Sequence, residues 1–305
     1  VYDQIVRDLD EAEKYFLMLP NEKQFLPNYR ITLPAVQLLK ARVNLYMNNL
    51  EEAAKYAKNV IEDWDFVLYD LRSISYDGVT FPNYVTYDNP ETIWAFGKRN
   101  DLLKFTHDLM GDYGVKDHRV LINASDELVD NYEDEGDLRK QFYLVPEYGY
   151  TPVCYLAVSK CVFLGESIPS DDKFMLALRL SEAYLILAEA TAKTDPTIAL
   201  NAVNELRKKR ISEEKYKDKS GLSGDELLEF VRNERRRELC FEGHRWFDLR
   251  RYGMPSFTRV WKEGGVAAKW FTMEKEDAAY TLPISKEVMD RNPGLVQNRL
   301  GNPKY

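Results

Sequence analysis

NERRRELCFEGHRWFDLRRYG, residues Asn233–Gly253, decides the reading of this chain. Charges dominate the stretch, yet Leu239, Phe241, Trp246, Phe247 and Leu249 stand between them. Glu234, Glu238 and Glu242 recur every fourth residue, so on a helix they share one face. Arg235, Arg236 and Arg237 place donors on either side of that stripe. Gly243 falls where a left-handed cap would end the helix. A second short amphipathic turn, His244–Arg251, with Arg245, Trp246, Phe247 and Asp248, is expected to fold back against the first.

Three readings of the stretch compete. Arginines beside aromatics suit nucleic acid, but here glutamates interleave them and the whole chain carries a net charge of −8. Glutamates near His244 suggest a metal, but the Glu-x-x-His motif of a di-metal helix bundle is missing. The remaining reading is a partly buried lattice of arginine–carboxylate pairs that locks helices together. Arginine suits that task because its planar fork meets a carboxylate bidentately. The expectation is therefore no metal, no cofactor, no nucleic acid, paired glutamates, and substantial burial of Trp246 and Phe247.

Upstream, the apolar spacing predicts helix pairs. Leu38, Leu39, Ala41, Leu45 and Tyr46 lie on one helix, and Ala53, Tyr56, Ala57, Val60 and Ile61 on its partner, with a turn at Asn48-Asn49. A second pair is expected over 174–210, broken at Asp195-Pro196, and the signature helix from about Gly224. Small alanines at close spacing suit tetratricopeptide-type packing. The first helix presents Tyr2, Ile5, Val6, Leu9, Ala12 and Phe16 on one face. It begins without a cap, so the chain reads as a piece of a longer protein whose upstream helices would cover that face.

The same residues resemble a family. ERRRELCFEGHRWFDLRRYG resembles the signature of the SusD/RagB proteins, surface lipoproteins that capture nutrients, usually glycans. LLKARVNLYMNNLEEAAKYAKNVI, Leu178–Ala190, Ala199–Arg210 and the closing Tyr280–Asn298 resemble further segments in the family's order. Pro34 and the ending Lys208–Ile211 depart mildly from its pattern. The resemblance implies a mainly α, SusD-like fold: helix pairs with long irregular insertions and an irregular tail, and residues 1–305 as one partial domain. It also implies non-catalytic binding of an oligosaccharide or polysaccharide at the outer membrane. Delivery would be to a SusC-like TonB-dependent transporter, with attachment through a lipid anchor not present in this chain.

Residues 65–172 differ in composition. Periodicity fades while Gly, Pro, Asp, Asn and Tyr accumulate, which reads as a loop-rich subregion. Glu91–Gly97 could form a short strand, and Ser125 could cap a short helix over Ser125–Tyr132. A sugar ring has an apolar C–H face and a polar rim, and tyrosine offers a flat surface with a polar handle. Tyr84, Tyr87, Tyr113, Tyr148 and Tyr150 are the candidate ligand-binding residues, three of them beside Asn or Asp. Trp261 and Trp270, in the tail, are the fallback.

Catalysis finds little support. The three histidines form no motif, and no nucleophile elbow, P-loop or HExxH occurs. The acidic run Glu133, Asp134, Glu135 and Asp137 lacks EF-hand spacing. Three cysteines without a CxxC pair argue against a disulfide framework or zinc. Two alternatives stay open: a helical-repeat module whose groove binds peptide or protein, and, more weakly, a glycoside hydrolase with an opposed carboxylate pair.

Overall fold

A computed structural model describes residues 1–25, 30–75, 89–97, 124–132, 136–147, 154–156, 176–263 and 266–298. These residues are mainly helical. The chain divides into two compact units, Val1–Pro146 with Tyr155–Glu242, and Glu147–Cys154 with Gly243–Tyr305.

The larger unit is built from helix pairs. Helix α1 (Tyr2–Leu17) and the short α2 (Asn21–Gln24) precede α3 (Leu33–Tyr46) and α4 (Leu50–Glu62). Pro34 sits in the first turn of α3, where its missing N–H costs nothing. Asn48 takes the left-handed conformation, φ 61°, and lets α4 return antiparallel to α3. Ala41, Ala53 and Ala57 have no exposed surface, so the two backbones approach closely. Helix α1 packs on α3 but buries none of its residues, and Tyr2, Tyr15 and Leu17 remain exposed. Lys40 of α3 ties it down with ion pairs to Asp10 at 2.6 Å and Glu13 at 2.5 Å.

Strand β1 (Thr92–Phe96) follows, then the short helices α5 (Asp126–Asp130) and α6 (Leu138–Tyr143). The Ser125 hydroxyl accepts from the Leu128 N–H, which starts α5 as its sequence predicts. Strands β2 (Val145–Glu147) and β3 (Cys154–Leu156) straddle the boundary between the units. Strand β4 (Leu176–Arg179) pairs antiparallel with β1, setting Arg179 opposite Thr92. Residues 176–179 were expected in a helix. The run MLALRL is apolar without a period, so it suits either state, and pairing with β1 decides it.

Helix α7 (Leu180–Thr191) is almost wholly buried and contacts α3, α4, α8 and α9. Helix α8 (Pro196–Lys208) starts under the Asp195 carboxylate, which accepts from the N–H groups of Thr197 and Ile198. Helix α9 (Gly224–Glu238) carries the signature. It ends at Glu238, so Glu242 follows the helix and does not continue its stripe. Gly243 is left-handed, φ 81°, and so is Phe241, φ 63°.

The smaller unit holds α10 (Arg245–Arg251), a β-hairpin and α11 (Lys286–Arg291). The hairpin strands are β5 (Phe257–Glu263) and β6 (Val266–Met273), paired antiparallel. The tail is therefore not irregular: cross-strand pairing orders residues that show no helical period. Trp246 is partly buried and lies 5.2 Å from the Tyr280 ring, which is itself buried. Phe247 is 52% exposed, against the expected burial. On this short helix Asp248 and Leu249 take the buried positions instead.

Candidate functional site

Two features stand out, one in each unit. The first is a lattice of buried charges. Glu238 has no exposed surface. Its carboxylate accepts from Arg179 at 2.6 Å, from Arg210 at 3.0 and 3.1 Å, and from the Tyr143 hydroxyl at 3.3 Å. Arg139 stands 3.4 Å away. Glu91, placed just before β1, binds Arg210, Arg179 at 3.2 Å and the Tyr69 N–H at 2.7 Å. Arg179 also clamps Glu242 through two nitrogens at 2.8 and 2.7 Å. Arg139 grips Asp137 bidentately at 2.9 and 2.7 Å.

One turn earlier on α9, Glu234 pairs with Arg139 at 2.6 Å and with Arg237. Burial pushes this carboxyl up, but Arg139, Arg237 and Arg207 outweigh it and hold the group down at about 2. Burial likewise opposes charge on Arg139 and Arg179, and their carboxylate partners raise both well above the ordinary value. Arg235 is fully buried 3.9 Å from Glu182, which Arg42 holds at 2.7 and 2.5 Å. The signature thus touches α6, β4, α7 and α8 directly, and reaches α3 through Glu182, and Glu91 through Arg179 and Arg210.

The sequence spacing marked Glu234 and Glu238, but not Arg139, Arg179, Arg210 or Glu91. One signal was available: Arg179 and Glu182 interrupt an otherwise apolar run, and a buried charge needs a partner. In the smaller unit, Asp248 pairs with Arg251 at 2.9 Å, and His244 and Asp248 are buried. Arg245 is partly buried.

The second feature is the β5–β6 ribbon. Trp261 is 49% exposed and Trp270 58%. Cross-strand partners share a face, so Arg259↔Phe271 and Trp261↔Lys269 lie on one side. Val260↔Trp270 and Thr258↔Thr272 lie on the other. The two tryptophans therefore point away from each other. Phe257 anchors the base of the first face, its ring edge-on to Tyr280 at 6.2 Å. Arg259 stacks over Phe257 at 4.6 Å.

Tyr84, Tyr87, Tyr113, Tyr148 and Tyr150 lie outside the described residues, as do His107, His118 and Glu133–Glu135. Among the described residues, no group of three His, Cys, Asp or Glu could hold a metal ion, and no helix is long and apolar enough to cross a membrane.

Residues 169–305 match the SusD family model, which takes in both the signature and the ribbon. A SusD-like protein of Formosa agariphila is 25% identical over 295 residues, covering 82% of this chain and 56% of that protein. A putative sugar binding protein from Bacteroides vulgatus superposes with a TM-score of 0.70 at 25% identity, over 97% of this chain and 64% of its own. A SusD-like carbohydrate binding protein from the same species gives 0.67 at 21% identity, over 96% and 64%. The chain thus spans less than two thirds of the length of each. The fold, the family match over residues 169–305 and the charge-dense signature agree in making this chain similar to the SusD/RagB family.

Proposed function

We propose that the protein binds glycan at the cell surface without cleaving it and hands it to a SusC-like TonB-dependent outer-membrane transporter. The observation that carries the reading is the β5–β6 ribbon, which turns Trp261, Trp270 and Phe271 toward solvent in a chain similar to this family. Flat aromatic surface beside polar groups suits a pyranose ring, whose C–H face stacks while its hydroxyls stay wet. Two structural neighbours named for carbohydrate or sugar binding support the same class of ligand. The reading takes residues 1–305 as part of one SusD-like domain, held at the outer membrane by a lipid anchor. It keeps Tyr84, Tyr87, Tyr113, Tyr148 and Tyr150 as further stacking candidates.

Glu234 is a poor candidate for the general acid of a hydrolase. A general acid needs a raised pKa, and Glu234 is held at about 2. A second reading has its own observation: a cleft of about 360 Å³ between α4, α7 and α8, lined by Ala54, Lys58, Tyr184, Leu187, Ile198 and Glu205. Such a concave helical groove would suit a peptide.

The test is calorimetric titration with a panel of soluble polysaccharides, wild type against single alanine variants at Trp261, Trp270 and the five tyrosines. Binding that survives in the wild type and fails in at least one variant supports the reading. A wild type that takes no polysaccharide but binds extended peptides would move the function to the helical cleft.

A further inference from the structure

One face of the ribbon has a chemistry that a neutral sugar does not require. Arg259↔Phe271 and Trp261↔Lys269 are consecutive same-face pairs on an antiparallel ladder. Cation and aromatic therefore alternate both across and along the ribbon, in a two-by-two checkerboard. Side chains two apart on a strand repeat at about 7 Å, and directly opposed Cβ atoms lie about 5 Å apart. Each aromatic ring thus has a cation beside it on two sides. Lys269, Trp261 and Phe271 are exposed, and Arg259 is half-buried. The Arg259 guanidinium is already oriented, stacked on Phe257 and donating to the Thr258 carbonyl at 3.0 Å. Phe257 in turn meets the buried Tyr280 ring.

The charge of this segment runs against that of the chain. Residues 257–273 carry Arg259, Lys262 and Lys269 against Glu263 alone, in a protein of net charge −8. The carboxylates Glu274, Glu276 and Asp277 come only after Met273, beyond the base of the ribbon. The opposite face has no charge over Thr258, Val260, Trp270 and Thr272, and Lys262, paired with Ala267, follows only at its far end. Over these central pairs one side is uncharged, and the other sets two cations among two aromatic rings.

We propose that the Arg259–Trp261–Lys269–Phe271 face is a subsite for a carboxylated polysaccharide, one built from uronic acids. Rings of such a polymer stack on Trp261 and Phe271. Their carboxylates pair with Lys269 and Arg259, the guanidinium offering the planar fork that fits a carboxylate bidentately. The inference rests on the glycan-binding reading and narrows its ligand. Because Lys269 is exposed and Arg259 only half-buried, the attraction is screened by salt and adds selectivity more than affinity.

The experiment titrates the 305-residue chain with polygalacturonate, with amylopectin as the neutral polymer and with dextran sulfate as the non-carboxylate polyanion. Four variants accompany it: Trp261→Ala, Lys269→Glu, Lys269→Arg and Trp270→Ala, each checked for an unchanged melting temperature. The expected result is binding of polygalacturonate that weakens as sodium chloride rises. Trp261→Ala and Lys269→Glu should each weaken it about tenfold or more, equivalent to roughly 1.4 kcal/mol. Lys269→Arg, which keeps the charge, should bind as the wild type does, and Trp270→Ala should weaken polygalacturonate less than Trp261→Ala does. Amylopectin bound as tightly as polygalacturonate overturns the inference and leaves glycan binding standing. Dextran sulfate bound equally well overturns it too, since the face then holds any polyanion. Loss of binding in Trp270→Ala but not in Trp261→Ala puts the ligand on the other face. A wild type that binds none of the three polymers removes both the inference and the reading beneath it.

Discussion

Arg179 and Glu238 meet at 2.6 Å with neither side chain open to solvent, although 59 residues separate them. Arg179 ends β4 and Glu238 ends α9, so the pair fastens the terminus of a strand to the terminus of a helix.

Removing one partner of such a pair leaves the other charge desolvated. Glu238→Ala is expected to cost roughly 3–5 kcal/mol and to lower the melting temperature by roughly 10 °C. Calorimetry or thermal circular dichroism would read it. A melting temperature within a degree of wild type would show that the lattice adds nothing to stability.

Acid should loosen the same lattice, with a predictable sign. The Glu234 carboxyl is lowered from 4.5 to about 2 in the folded chain. Its contribution is therefore complete above pH 4.5 and is lost as pH falls toward 2. A tenfold difference in proton affinity between folded and unfolded chain is worth about 1.4 kcal/mol, so the loss is on the order of 3 kcal/mol. Denaturant unfolding followed from neutral pH down into this acid range should show it. Glu234→Gln should flatten that part of the pH profile, whatever it does to stability at neutral pH.

Helix α1 should be the first part of the larger unit to open. It buries no residue, and Lys40 is its charged tether. Burial lowers the Lys40 ammonium, but Asp10, Glu13 and Tyr56 together raise it above its ordinary value. In Lys40→Met, hydrogen exchange over Tyr2–Leu17 should speed up about tenfold or more, while α3 and α4 keep their protection. Uniform loss of protection across all three helices would contradict a local tether.

The turn between α3 and α4 offers a backbone test. Asn48 sits at φ 61°, which a Cβ-bearing residue without a short polar side chain tolerates poorly. Asn48→Ala should cost about 1–2 kcal/mol in denaturant unfolding, whereas Asn48→Gly should be near neutral.

The helices announced themselves because their burial has a period. α4, α8 and α9 each bury one stripe, and that stripe is visible in the residue order, whereas α3 is buried on most sides. Strand β4 did not, because the short run Leu176–Arg179, apolar up to its last residue, shows no stripe. The hairpin does carry a local signal: Thr258–Trp261 and Lys269–Thr272 are rich in β-branched and aromatic residues and flank Gly264-Gly265. The charge lattice was half legible. Glu234 and Glu238 are spaced as helical neighbours, but Arg139, Arg179 and Arg210 reach them only through tertiary structure. The mainly helical, SusD-like fold expected from the signature is the one observed. The five candidate tyrosines fall on residues the structure does not describe.

The reach of the lattice along the chain sets the order in which the larger unit can be completed. Glu91 bonds Arg210 across 119 residues, and Arg139 reaches Glu238 across 99. Loop closure over such spans is slow, and none of these charges gains from burial until its partner arrives. The partners that arrive last are Glu238 and Glu242, at the end of the final helix of the unit and just after it. A chain emerging from synthesis could pair Arg139 with Asp137 and Arg179 and Arg210 with Glu91, but their remaining partners come only when α9 docks. Folding of this unit should therefore finish in one late cooperative step, with the signature helix as the element that commits it.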